Sequence, residues 1–179
     1  MTEKNKKDNI ILIGMPSCGK STVGVVLAKA LGYRFVDSDL LIQERTGKLL
    51  SEIIDEQGLE RFNEIENEVN ASLDCHKAVI ATGGSVIYGR EAMEHLSSIG
   101  QVVYLKLPYE ILCERIGDLT ARGVSIKEGQ SFKELYEERV PLYEQYAEIT
   151  VEADELSIRE LVHLLKDKIC LHFETDVVN

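Results

Sequence analysis

Gly14-Met15-Pro16-Ser17-Cys18-Gly19-Lys20-Ser21 spells G-x-x-x-x-G-K-[ST], the pattern of a glycine-rich loop that cradles phosphate. Its flanks agree with that reading. The apolar run Ile10-Ile11-Leu12-Ile13 before it reads as a buried parallel strand, and Val23, Val26, Leu27, Ala30 and Leu31 after it fall at helical spacing. Such a strand–loop–helix unit turns successive backbone N–H groups inward as an anion nest, against a helix N-terminus with partial positive charge. Gly14, Ser17, Cys18 and Gly19 are expected to form the nest, Lys20 to reach the β- and γ-phosphates, and the Ser21 hydroxyl to meet Mg²⁺. The stretch implies a nucleoside triphosphate as one ligand.

The rest of the composition narrows the company such a site keeps. With 179 residues and 44% hydrophobic content the chain suffices for one domain with a full core. It carries 20 Lys+Arg against 31 Asp+Glu, a formal net charge of −11. That balance opposes nucleic acid as a general partner, because phosphate backbones demand a positive footprint. It also means that positive charge for ATP must be built locally. Cys18, Cys75, Cys113 and Cys170 contain no C-x-x-C pair, so neither a zinc site nor a disulfide framework is implied, and a reduced, cytoplasmic protein is the simple reading. No apolar run approaches membrane-spanning length. The expectation is a monomer that takes small molecules, with no membrane or nucleic-acid partner.

Residues 1–8 read as a disordered lead-in, 9–170 as a single domain and 171–179 as a tail. The first helix stops at Gly32. Tyr33 to Val36 is a short strand that runs into Asp37-Ser38-Asp39. Ligands of open parallel sheets sit beyond the carboxyl ends of the strands, so both acids are candidates for chemistry. Asp37 or Ser38 could instead cap the helix beginning near Leu40. From there to about Asp74 the chain is helical, with breaks at Gly47 and Gly58. That is more than a crossover requires, so about 38–75 is expected to include a substrate-binding region. Ala78 to Ala81 is a third strand, leading into Thr82-Gly83-Gly84-Ser85, where paired glycines permit close backbone approach to a ligand.

A helix over 90–99, a strand over 101–106 and a helix opened by Pro108 follow, the last with Arg115 near its end. Gly117, Gly123 and Gly129 then punctuate a stretch with little periodicity. A loop this long inside a compact domain is usually functional, and Arg122 suits a lid over phosphates, so about 117–131 is assigned as one. A helix over 132–146 carries Arg139, Ile149 to Val151 is a fifth strand, and Leu156 to Cys170 a closing amphipathic helix. Strands alternating with helices predict a three-layer α/β/α architecture on a parallel sheet, with the first strand central. Cys18 lies near a helix N-terminus, a setting that favours the thiolate, so ATP-protected alkylation is expected there.

Taken together these stretches resemble the shikimate kinases, within the nucleoside-monophosphate-kinase-like group of P-loop folds. The likeness runs from Ile10 to about Leu165. It rests on the phosphate loop with Ser21-Thr22-Val23-Gly24, Phe35-Val36-Asp37-Ser38-Asp39, Thr46-Gly47-Lys48, Ala81-Thr82-Gly83-Gly84, Gly100-Gln101-Val102-Val103-Tyr104-Leu105, and Leu135-Tyr136-Glu137-Glu138-Arg139 with Pro141-Leu142-Tyr143. The resemblance implies a five-stranded parallel sheet in the order 2-3-1-4-5 and a cytosolic enzyme of aromatic biosynthesis. Its reaction would be MgATP-dependent phosphorylation of one shikimate hydroxyl. By position, Gly19, Lys20, Ser21 and Thr22 would hold ATP and Mg²⁺, and Asp37 would lie near the metal. Asp39 would bind the acceptor hydroxyls and serve as base, with the Gly83 and Gly84 amides on the substrate. Arg139 resembles the arginine on the substrate carboxylate, Arg115 the one stacked on adenine, and Arg122 the lid arginine that reaches the transferring phosphate.

The chain departs from the family pattern in three places. The usual Phe-Arg after Gly58 is Phe62-Asn63, which puts Asn63 where an arginine would share the substrate carboxylate. Arg61 is adjacent, but one residue along a helix rotates a side chain by about 100°. Glu66 aligns with the glutamate that orients the missing arginine, which leaves it idle or paired with Arg139. The third glycine of the usual triplet is Ser85, and the lid's Arg-Pro-Leu-Leu is Arg122-Gly123-Val124-Ser125. Loss of one buried carboxylate contact costs on the order of 2–5 kcal/mol. Shikimate is therefore weighed against another small hydroxylated metabolite as acceptor. A nucleotide-dependent regulator that binds ATP without transferring it is disfavoured by Lys20, Ser21, Asp37, Asp39 and Arg122 occurring together.

Overall fold

The computed structural model describes residues 7–117 and 123–176, the last six as backbone only. Strand β1 (Asn9–Ile13) is buried at every position, as a strand covered on both faces must be. It lies in the middle of a five-stranded parallel sheet of order β2-β3-β1-β4-β5, formed with β2 (Arg34–Asp37), β3 (Ala78–Ala81), β4 (Gly100–Lys106) and β5 (Ile149–Glu152). The expected order and architecture are those observed. Asn9 joins the strand one residue earlier than the apolar run suggests because its side chain is fully used. Its Nδ2 donates to the Cys75 and Ile99 carbonyls, both at 2.8 Å, and its Oδ1 accepts from Ala78 N at 3.0 Å. One buried amide thus ties β1 to its neighbours at the end opposite the phosphate loop.

The helices are α1 (Lys20–Leu31), α2 (Ser38–Thr46), α3 (Leu50–Ala71), α4 (Arg90–Ile99), α5 (Tyr109–Ile116), α6 (Phe132–Tyr146) and α7 (Ile158–Asp176). Helix α1 packs against α7, while α4 packs against α3. Gly32 and Gly47 end α1 and α2 in left-handed conformations, and Gly58 (φ 81°, ψ 165°) kinks α3. Ile42, Ile53, Phe62, Ile65 and Val69 form a small core separate from the main one. The α2–α3 region is therefore held by its own apolar contacts beside the sheet. At about 1.5–3 kcal/mol per buried large side chain, that suffices to keep it a defined wall.

Most other boundaries fall within one or two residues of the sequence reading, and the last helix differs at both ends. Helix α7 begins at Ile158, not Leu156, because Ser157 and Glu160 exchange bonds as a capping box. It runs to Asp176, so the first six residues assigned to the tail are helical. A 3₁₀ turn at Val86–Tyr88, absent from the sequence reading, follows the glycine pair. No helix among the described residues is long and apolar enough to cross a membrane.

Candidate active site

At the carboxyl end of β1 the chain enters the phosphate loop. Gly14 has φ 148°, and a Cβ there would stand 2.8 Å from the Leu105 carbonyl oxygen and 2.9 Å from Cys18 Sγ, so glycine alone fits. Lys20 opens α1 nearly buried, donating from Nζ to the carbonyls of Gly14 (2.8 Å) and Met15 (2.9 Å). Its ammonium is thereby fixed over the loop. Cys18 is 2% exposed and packs in the main core. That overturns the expectation of nucleotide-protected alkylation, since the protein itself shields the thiol.

Asp37 and Asp39 follow β2, and the first serves twice. Its Oδ2 accepts from Ser21 Oγ at 2.6 Å, while its Oδ1 accepts from Asp39 N at 3.1 Å and so caps α2. The cap and the candidate metal residue, alternatives in the sequence, are one side chain. Asp39 lines the cleft beyond it. Burial and then the Asp37 charge push its pKa up to about 6, against the pull of Lys20.

Glu66, on α3, is 1% exposed, and its Oε1 finds no hydrogen-bond partner among the described residues. Burial and then Asp39 push it up to about 7, while Ser85, Arg139 and Lys20 pull the other way. The two carboxyl groups converge on Gly83. A Cβ at Gly83 would collide with Glu66 Oε1 and lie 2.9 Å from Asp39 Oδ1. The Gly83 amide, expected to face a substrate, donates to Ser38 Oγ at 3.3 Å. Gly84 offers its carbonyl to the Tyr143 hydroxyl at 2.5 Å.

Both carboxyl groups bind a proton more tightly folded than unfolded, which gives a stability prediction. Above the ordinary carboxylate range and up to about pH 7 the native state holds more protons than the unfolded chain, so stability falls as pH rises through that window. A tenfold change in proton affinity is worth about 1.4 kcal/mol, so the two groups together account for a few kcal/mol. The nucleotide-free protein should show a higher urea midpoint at pH 5.5 than at pH 8. The net negative charge acts in the same direction, so Glu66→Gln is the control and should flatten the difference. A midpoint that rises with pH, or a slope untouched by E66Q, would contradict this.

Arg139, on α6, is fully buried. Its Nε donates to Tyr88 Oη at 3.3 Å, its Cζ lies 5.3 Å from the centre of the Tyr88 ring, and its Nη2 donates to the Ser125 carbonyl. Nη1 has no partner among the described residues. Glu66 and Arg139 make no ion pair within 4 Å there, so the glutamate is not paired as one reading of the sequence allowed. Arg61 points away, bonding Glu64 at 2.8 Å and Glu68 at 3.4 Å on the exposed face of α3.

Asn63 does not line the cleft, unlike the substrate contact expected of it. Its Oδ1 accepts from Ser125 Oγ at 3.0 Å, 62 residues away in sequence. Gly123, Val124 and Ser125 form part of the cleft wall, the last two buried. Arg122 lies outside the described residues. Ser125, in the cleft wall, and Tyr88, bonded to Arg139 behind it, are two residues that sequence reasoning did not assign to the site. Ser125's one signal was its departure from the family's lid pattern, and Tyr88 had none.

One cleft of about 500 Å³ joins these groups, with Ser17, Gly19, Lys20, Ser21 and Thr22 at one end and Asp39, Glu66, Gly84 and Arg139 at the other; Arg115 also lines it. Residues 16–170 match the model of the shikimate kinase family. A shikimate kinase of Thiobacillus denitrificans is 35% identical over 171 residues, covering 93% of each chain. One from Thermobifida fusca is 37% identical over 157 residues, covering 87% of this chain and 91% of its own. The structure of an Acinetobacter baumannii shikimate kinase in complex with shikimate superposes with a TM-score of 0.84 at 32% identity, over 94% of this chain and 96% of that one. The chain belongs to the shikimate kinase family.

Proposed function

We propose that this chain transfers the γ-phosphoryl group of ATP to a hydroxyl of shikimate, giving 3-phosphoshikimate and ADP. The observation that carries the reading is a cleft lined in common by a phosphate-binding loop, a buried arginine and two carboxyl groups. Phosphoryl transfer asks the protein for positioning and charge neutralisation, and the two ends of the cleft supply these to donor and acceptor.

The loop amides with Gly19, Lys20 and Thr22 hold the β- and γ-phosphates, and Arg115 borders the adenine. Arg122, by the family resemblance, closes on the transferring group. Asp39 accepts the hydroxyl proton while the acceptor oxygen bonds to phosphorus and the bridging oxygen departs with ADP. Arg139 anchors the acceptor's acidic end. Ser21 Oγ and Asp37 Oδ2, 2.6 Å apart at the loop, are hard oxygen donors of the kind that hold Mg²⁺ with several waters. Bound there, Mg²⁺ would neutralise charge on the phosphates.

ADP release measured with shikimate and with a panel of neutral polyols and hydroxy amino acids tests the assignment. Shikimate-dependent release at millimolar concentration or below is expected. Its absence, with turnover of a neutral polyol instead, would move the enzyme to another acceptor.

A further inference from the structure

The two departures from the family pattern that flank the acceptor end, Asn63 and Ser125, are bonded to each other, and through Ser125 they reach Arg139. The Ser125 hydroxyl donates to Asn63 Oδ1 at 3.0 Å while its carbonyl accepts from Arg139 Nη2. The same segment is held again a little further on. Lys127 Nζ lies 3.2 Å from Glu138 Oε2 and Gln130 Nε2 donates to it at 2.8 Å, while Glu138 also accepts from the Tyr88 hydroxyl that receives Arg139 Nε. Of the guanidinium's nitrogens, only Nη1 is without a partner among the described residues, and it is buried in the cleft wall beside Gly84.

We propose that Ser125 is a specificity-determining residue. Tied to Asn63, it keeps its carbonyl on one arm of the Arg139 fork and leaves the acceptor the other. An arginine grips a carboxylate strongly when two parallel N–H groups meet its two oxygens. With one arm occupied by the chain itself, the contact is single. A single N–H serves a carbonyl or amide oxygen in nearly the same geometry as a carboxylate oxygen, and charge alone separates them. The position therefore reads an oxygen acceptor rather than a carboxylate. This rests on the proposed function, since it concerns the acceptor's end of the same cleft.

The test is the ratio of dissociation constants for shikimate carboxamide over shikimate, measured by calorimetry on the full chain with ADP present. In the unaltered protein the ratio should be below about 10. Ser125→Ala and Asn63→Ala should each raise it about fivefold or more, because an untied Ser125 releases Nη2 to the ligand. The double variant should show no more than either single, since the two side chains act as one unit. Ser125→Thr, which keeps the hydroxyl, should retain the low ratio; loss of fold or of packing alone does not reproduce that pattern. A ratio above 100 in the unaltered protein, a ratio indifferent to both substitutions, or effects that multiply in the double variant would overturn the proposal. Shikimate turnover is scored separately. A flat ratio with turnover intact sinks only this inference, and shikimate binding without turnover sinks only the assigned reaction.

Discussion

Asp39→Asn is expected to lower kcat by about 10²–10³-fold while leaving the KM for ATP within threefold of its starting value. Positioned general bases contribute about 10²–10⁴-fold, and the lower part of that range is expected here because a loose phosphoryl-transfer transition state draws the hydroxyl proton late. The substitution preserves shape and removes basicity, so it isolates proton transfer from packing. Asp39 is suited to that transfer because burial and the Asp37 charge push its pKa up to about 6, nearer the working pH than an ordinary carboxylate. A base must be ionised to act. The unaltered enzyme should therefore gain kcat/KM as pH rises through about 6, and the limb should vanish in the Asn variant. Steady-state assays from pH 5 to 8.5 check both. Residual kcat within tenfold of the original, with the limb still present, would reduce Asp39 to a hydrogen-bonding partner of the acceptor.

The phosphate loop, the helix stops and the alternation of strands with helices were legible because each is a local or repeating signal, whereas the strand order followed only from the family resemblance. Gly32, Gly47 and Gly58 interrupt helices for backbone reasons that need no knowledge of the rest of the molecule. Helix α6 spans Phe132–Tyr146 as read, because Ser131 and Glu134 form a capping box at its start. The acceptor end was legible as residues but not as an arrangement. Asn63 was identified through what it replaces, and nothing within a helical turn of it says that its carboxamide meets Ser125. That contact joins segments 62 residues apart, and only the fold brings them together. The double use of Asp37 was hidden for a related reason. A capping acid and a loop-facing acid are indistinguishable in sequence, and here two oxygens of one carboxylate serve both. Cys18 shows the opposite error, in which a helix N-terminus suggested reactivity but the loop turns the thiol into the core.

Arg139→Met is expected to separate stability from function, with an effect on catalysis as large as any in the molecule. The guanidinium is fully buried, and among the described residues one of its nitrogens is unpartnered and no carboxylate lies within ion-pair distance. Desolvating a charge is costly, and well-packed apolar replacements of similar volume are often neutral or stabilising. The lost bonds are those from Nε to Tyr88 Oη and from Nη2 to the Ser125 carbonyl. Tyr88 keeps its bond to Glu138, so the site closes over the substitution with little left unsatisfied. The urea midpoint of the nucleotide-free variant should accordingly match or exceed that of the unaltered protein. Its kcat/KM for shikimate should nonetheless fall at least 100-fold, mostly through KM, because a buried charge with an unpartnered nitrogen in the wall of a cleft suits a binding device. Removing the protein half of such a charge-assisted contact costs about 2–5 kcal/mol. Arg139→Lys keeps the charge but not the planar fork, and an ammonium cannot span Tyr88, Ser125 and the ligand at once. It should recover less than a tenth of the lost activity. If the Met variant instead unfolds at much lower urea while its folded fraction retains shikimate affinity, Arg139 serves the fold, and the acceptor's anchor must be sought elsewhere in the cleft.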